Sequence, residues 1–234
     1  MKTVGVPGDP NLDAVQVAFA ALADLSDQVI LVGGCATGLL ITSVRSEMIR
    51  PTRDVDLIVE ITSRNRFRHL ERDLRRRGFV NDQRSDAPIC RWRFDDVIID
   101  LMPTDERVLG FGNRWYRHAA AHAERVLLPN GQAIRLVSAP VFLLTKLEAF
   151  SSRGADDLVY SHDLEDVMTV LDGREELESE IAAAPVEIRE ALRRHVATLL
   201  ADDRLTEAMA GFLPGDAASQ ARLPELQAKL ERLG

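Results

Sequence analysis

Cysteine is scarce in this chain: Cys35 and Cys90 are the only two, far apart and in no CxxC pair. No disulfide framework can be read from them, and they fit the reduced thiols of a cytoplasmic protein, although counting leaves one bridge open. Long apolar runs are missing too, and no stretch approaches the about eighteen residues of a membrane span. The opening Met1-Lys2-Thr3-Val4 has neither the apolar core nor the small-residue cleavage site of a signal peptide. There is no GxxxxGK(S/T) phosphate loop and no GxGxxG turn, which removes a P-loop NTPase and a Rossmann reading. No Ser/His/Asp or Cys/His arrangement stands out. Positive charge is not in excess either: a net charge of −8 argues against a protein that coats nucleic acid non-specifically. Repeats and low-complexity segments are absent.

What is present is an ordinary globular composition, 46% apolar and 28% charged over 234 residues, enough for one large or two small domains. Asn11 to Leu25 has helical periodicity, with Asn11 as cap and Val15, Ala18, Phe19 and Leu22 on one face. A strand at 28–32, a helix at 35–45 and a strand at 54–61 make a first α/β unit. Ser63 caps an Arg-rich helix that Gly78 ends. A strand follows near 79–81, and residues 89–102 read as a hairpin turning at Asp95-Asp96. A short helix near 113–120 leads to a second hairpin with Asn130-Gly131 at its turn. From Ser138 onward only helical patterns recur, at 139–152, 162–171, 174–183, 187–201, 204–211 and 217–232. The expected fold is therefore mixed α/β: a sheet flanked by helices over residues 1–138, then an all-helical domain over 139–234.

The chemistry gathers around Gly33-Gly34 and the run Arg50-Pro51-Thr52-Arg53-Asp54-Val55-Asp56. The glycines close the apolar run Val29 to Val32 and open a helix, whose bare N-terminus suits an anion. Asp54 and Asp56 stand at i and i+2 of a strand and so point to one side. Asp100 lies inside the apolar run Val97 to Met102, where a lone charge costs several kcal/mol unless it is paired. A metal shared with Asp54 and Asp56 would pair it, and so would Arg91 or Arg93. Three carboxylates on adjacent strands can hold two Mg²⁺ ions about 3.5–4 Å apart, as in-line displacement at phosphorus requires.

Lys146 shares a helix face with Phe142, Leu143 and Phe150, so it either snorkels or meets an anion. That anion is a nucleotide phosphate or a carboxylate of the next helix, where Asp163 and Asp166 share a face. Residues 64–77 carry seven arginines against Glu71 and Asp73, a solvated face or a surface for a polyanion. His118 and His122 have zinc-compatible spacing but no third ligand, and read as a solvated helix face.

Together, Gly33-Gly34, the Arg50–Asp56 run and Asp100 resemble the nucleotidyltransferase core of the polymerase-β-like superfamily. The run Ser138 to Phe150, with Arg153 and Ser161 to Val167, resembles its abortive-infection, AbiEii-type branch. The resemblance covers roughly residues 28–172, and Gly33-Gly34 stands where many members have Gly-Ser. It implies that Asp54, Asp56 and Asp100 bind Mg²⁺, with Asp100 assisting deprotonation of the acceptor. It also implies an NTP as substrate, with Gly33, Gly34, Thr52, Arg53, Lys146 and Asp163 at the nucleotide. The branch includes toxins of toxin–antitoxin pairs, some adding nucleotides to tRNA. A tRNA or other RNA end is the expected acceptor and a cognate antitoxin a candidate partner. An antibiotic, a protein acceptor or a purely nucleotide-binding module are the alternatives.

Overall fold

In a computed structural model, residues 1–43, 49–153 and 158–234 are described. The chain forms two compact units, one of Met1–Leu39 with Pro51–Ser138, the other of Leu40–Arg50 with Ala139–Gly234.

The first unit is built on a seven-stranded mixed sheet. Helix α1 (Leu12–Leu22) precedes β1 (Val29–Leu31), and α2 (Thr37–Leu40) follows a 3-10 turn over Gly34–Ala36. Then come β2 (Asp54–Val59), α3 (Arg64–Arg76), β3 (Val80–Asn81), β4 (Arg91–Phe94) and β5 (Val97–Pro103). Helix α4 (Tyr116–Ala121), β6 (Glu124–Leu127) and β7 (Ala133–Leu136) complete it. Spatially the order is β3-β4-β5-β2-β1-β7-β6. The central pair β2–β5 is parallel, as is β1–β7, and β1–β2 and both hairpins are antiparallel.

Local chemistry accounts for these elements. The apolar stripe of α1, Val15, Ala18, Phe19 and Leu22, is buried, as its periodicity predicts. Asp95 takes φ 49° at the β4–β5 turn and Gly131 φ 84° at the β6–β7 turn, the left-handed conformations that Asp and Gly tolerate in tight hairpins. Ser63 Oγ accepts from Arg66 N at the start of α3 (3.4 Å), and α3 buries Phe67, Leu70 and Leu74 while its arginines stay outside.

The helix expected over 35–45 is shorter than its pattern suggests. It ends at Leu40, because the amides of Thr42 and Ser43 both donate to the Gly173 carbonyl (2.9 Å each) rather than to the preceding turn. Val44 lies outside the described residues.

The second unit is helical: α5 (Ala139–Arg153), α6 (His162–Gly173), α7 (Leu177–Ala183), α8 (Val186–Leu200), α9 (Leu205–Met209), α10 (Ala217–Gln220) and α11 (Leu223–Leu233). The single helix expected over 217–232 is two, since Pro224 sits in the first turn of α11, where a missing N–H costs nothing. Ser161 caps α6, its hydroxyl accepting from Leu164 N. Among the described residues, no helix is long and apolar enough to cross a membrane.

Candidate active site

Strand register creates the site. In the parallel β2–β5 pair, Asp56 lies opposite Asp100 and Asp54 opposite Ile98. Side chains alternate along a strand, so Asp54, Asp56 and Asp100 face one side of the sheet while Val55, Leu57, Ile99 and Leu101 fill the core on the other. The carboxylates are thus brought to one patch, as the i, i+2 spacing predicts.

Gly33 closes against that patch. Val32 N donates to the Asp56 carbonyl (3.0 Å), which seats the glycine beside Asp56, and Gly33 itself has φ 66° and ψ −164°. A Cβ there would lie 1.9 Å from Asp56 Oδ2. Gly33→Ala therefore combines a near glycine-only backbone conformation, costing about 1–3 kcal/mol, with displacement of the Asp56 carboxylate. We expect a lower melting temperature by calorimetry, and an unchanged one would mean that the turn relaxes freely.

The run before β2 is held by side chains from elsewhere in the same unit. Asn11 is buried, and its Oδ1 accepts from Thr52 N (2.7 Å) instead of capping α1. Thr52 Oγ1 donates to the Asp54 carbonyl (3.1 Å) and lies 2.9 Å from Cys35 Sγ. Burial, with smaller contributions from Asp56, Asp9 and Asp54, pushes the Cys35 thiol up to about 12. Burial and then Asp100 do the same to Cys90. Both cysteines are free and buried, and a thiol pushed up by burial is the less reactive form. Sequence reading missed the Asn11–Thr52 bond, for an Asn before a helix has an obvious other use.

Arg91 pairs with two of these carboxylates. From β4, paired antiparallel so that it lies opposite Asp100, it donates Nε to Asp100 Oδ1 (2.8 Å) and Nη2 to Asp100 Oδ2 (2.6 Å). Nη2 also reaches Asp54 Oδ2 (2.6 Å). The paired reading of Asp100 is thus what the side chains display. Among the described residues, no group of three His, Cys, Asp or Glu is drawn together as a metal cage. The donor set nevertheless suits a hard divalent cation: carboxylate oxygens from two adjacent strands, with a glycine cradle that a side chain would fill. A cation taking Asp54 and Asp100 together competes with the Arg91 guanidinium.

Arg53 is exposed, and Gly34 is buried in the 3-10 turn. Lys146, Asp163 and Asp166 belong to the second unit. Lys146 Nζ lies 2.6 Å from Asp166 Oδ2 and 3.3 Å from Asp163 Oδ1. Asp166 also receives Arg50 Nη2 (3.3 Å), and Asp163 receives Arg153 Nη1 (3.0 Å). The sequence leaves open whether Lys146 meets phosphate or carboxylate; the side chains place carboxylates around it. His118 and His122 stack, with ring centroids 6.4 Å apart, and are not joined by a third ligand among the described residues.

No family model and no curated protein matches the chain. Among solved structures it is similar to an antigenic nucleotidyltransferase-like protein from Paracoccidioides brasiliensis. That likeness has 21% identity over 97% of this chain and 94% of the other, with a TM-score of 0.52. It is also similar to the antibiotic-resistance factor ANT(2'')-Ia, at 16% identity over 81% and 95% of the two chains, with a TM-score of 0.48. A third likeness is to JHP933 from Helicobacter pylori, at 12% identity over 97% and 92%, with a TM-score of 0.46. The first of these shows the fold: a mixed α/β sheet with C-terminal helices, as in nucleotidyltransferase-like proteins.

Proposed function

We propose that this protein is a Mg²⁺-dependent nucleotidyltransferase that moves a nucleoside monophosphate from an NTP to an acceptor hydroxyl, with an RNA or tRNA end as acceptor. The observation that carries the proposal is the register of β2 on β5, which sets Asp56 beside Asp100 on the face that Asp54 shares. Gly33 leaves the Asp56 carboxylate open to a close backbone approach. Asp54, Asp56 and Asp100 would hold two Mg²⁺ ions, whose chemistry is to neutralise the triphosphate and acidify the acceptor hydroxyl.

The residues divide the work. The Gly33-Gly34 backbone, flanked by Thr52 and Arg53, admits the triphosphate. Asp100 receives the proton of the acceptor hydroxyl as its oxygen bonds to the α-phosphorus. The bond from that phosphorus to the α–β bridging oxygen breaks, and pyrophosphate leaves. A role for Lys146 and Asp163 in nucleotide binding rests on the resemblance alone. Positioning and electrostatics supply the rate. The same resemblance carries the assignment to the AbiEii-type branch, and with it a toxin's role and a cognate antitoxin.

The test is direct: incubate the protein with Mg²⁺ and each labelled NTP against total RNA, aminoglycosides and a cell lysate. Label in RNA is expected. Label in none of the fractions, with NTP still bound, would leave a nucleotide-binding module instead.

The RNA acceptor rests on α3, whose Arg64, Arg68, Arg72 and Arg75 are all exposed. Replacing Arg68, Arg72 and Arg75 by glutamine is expected to weaken RNA binding. It should also flatten the log–log salt slope by about 0.7 for every single-strand phosphate that the protein no longer neutralises. NTP affinity should stay as it was. An unchanged salt slope in the triple variant removes RNA as the acceptor.

One observation favours a small hydroxylated acceptor. Arg75 stacks over Trp92, its Cζ 5.1 Å from the ring centroid, and Trp92 is the neighbour of Arg91 on β4, so the two point to opposite faces. The arginine helix therefore lies over the face away from the carboxylates, and an RNA reaching both must round the sheet edge at β3.

A further inference from the structure

We propose that Arg91 is a resident counter-cation of the carboxylate site: it holds Asp54 and Asp100 when no metal is bound, and a divalent cation must displace it. The inference rests on the nucleotidyltransferase reading and deepens it, since it makes metal entry a controlled step.

Three carboxylates on adjacent strands pose a problem for the metal-free protein. Asp100 is 7% exposed, and its neighbours across and along the sheet are Asp56 and Asp54. Like charges brought together and partly removed from water repel, at a cost that grows as the local dielectric falls. The Arg91 fork answers this with two parallel bonds to Asp100 and a third to Asp54, each 2.6–2.8 Å. Bidentate guanidinium–carboxylate pairs are among the stronger polar contacts.

The backbone of this arm is anchored. The Arg91 amide donates to Pro88 O (2.9 Å), and its carbonyl accepts from Asp82 N (3.0 Å) and Asn81 Nδ2 (3.0 Å). The tight turn at Asp95 keeps β4 in register with β5. The side chain is 20% exposed, and displacement of the guanidinium in this proposal is a side-chain rotation that leaves the strand pairing in place. Two consequences follow. Metal alone binds weakly, because it must break these pairs first. Metal and NTP bind cooperatively, because the triphosphate offers the released guanidinium a new anionic partner, and by linkage each ligand raises the affinity for the other.

The experiment titrates Mg²⁺ and Mn²⁺ into wild type, Arg91→Gln and Arg91→Lys by calorimetry. Melting temperatures in chelator and in excess Mg²⁺ accompany the titrations. Arg91→Gln is expected to bind metal in the absence of nucleotide about tenfold more tightly or better, the equivalent of losing charge-assisted hydrogen bonds. It should melt lower than wild type in chelator and regain the difference in Mg²⁺. Arg91→Lys, which keeps the charge and loses the fork, should fall between, and carries the test alone if the glutamine variant does not fold. Equal metal affinity in wild type and variants, with NTP bound by all, overturns the role of Arg91 and leaves the nucleotidyltransferase reading intact. Absence of both metal and NTP binding in folded wild type and variants overturns that reading and this inference with it.

Discussion

Asp56→Ala is expected to abolish nucleotidyl transfer while leaving the fold in place. Asp54 and Asp100 are both bonded to Arg91, so alanine at either takes a partner from the guanidinium. Alanine at Asp56 keeps the Arg91 bonds to Asp54 and Asp100 in place, and it relieves a carboxylate that faces Asp100 across β2–β5. Stability should therefore change little in the metal-free protein. Activity should fall by about a hundredfold to a thousandfold or more, the scale seen when one preorganised electrostatic interaction with a transition state is removed. The measurement is label transfer from NTP beside a thermal melt of the same sample. Asp54→Ala and Asp100→Ala should be equally inactive and slightly less stable. An Asp56→Ala protein that is folded and fully active would remove the three-carboxylate site.

Much of this site can be read in the chain because it depends on short-range periodicity. The i, i+2 spacing of Asp54 and Asp56 needs only an extended strand to be meaningful, and the flanking Leu57-Ile58-Val59 run supplies it. Asp100 declares itself as the one charge in an apolar run, and a residue placed against its surroundings has to be explained. The hairpin turns at Asp95 and Gly131 are equally legible, since few residues accept those backbone angles. What the chain conceals are contacts across long separations. Asn11 before a helix looks like a cap, yet it holds Thr52 far downstream. Arg91 and Arg93 look alike as partners for Asp100, and only the antiparallel register of β4 on β5 selects Arg91. The early end of the helix after Gly34 depends on the carbonyl of Gly173, which no local pattern encodes.

Lys146→Met is expected to produce the largest loss of stability of any substitution considered. The ammonium is set among helices α5 and α6 with its side chain 10% exposed, against Asp163 at 8% and Asp166 at 3%. Removing it leaves those carboxylates buried with less compensation, a change that typically costs about 3–5 kcal/mol. Arg50 on Asp166 and Arg153 on Asp163 remain, which argues for the lower end, about 3 kcal/mol. At roughly 2–4 °C per kcal/mol for a chain of this size, the melting temperature should drop by several degrees. The thioether should still pack against Phe142, whose ring centroid lies 5.9 Å from Nζ, so the loss is one of charge rather than volume. A second substitution separates this from a phosphate role. Lys146→Met with Asp166→Leu removes both members of the shortest pair, and should be more stable than Lys146→Met alone because the buried carboxylate that lost its nearest cation is gone, while Arg50 keeps Glu165. NTP affinity in that double variant then reports on Lys146 without the confounding loss of structure. If affinity stays at the wild-type value, Lys146 serves the helical unit only; a fall of tenfold or so, about 1.4 kcal/mol, would assign the ammonium to the triphosphate as well. A Lys146→Met protein that melts with the wild type would sink the structural account of the cluster.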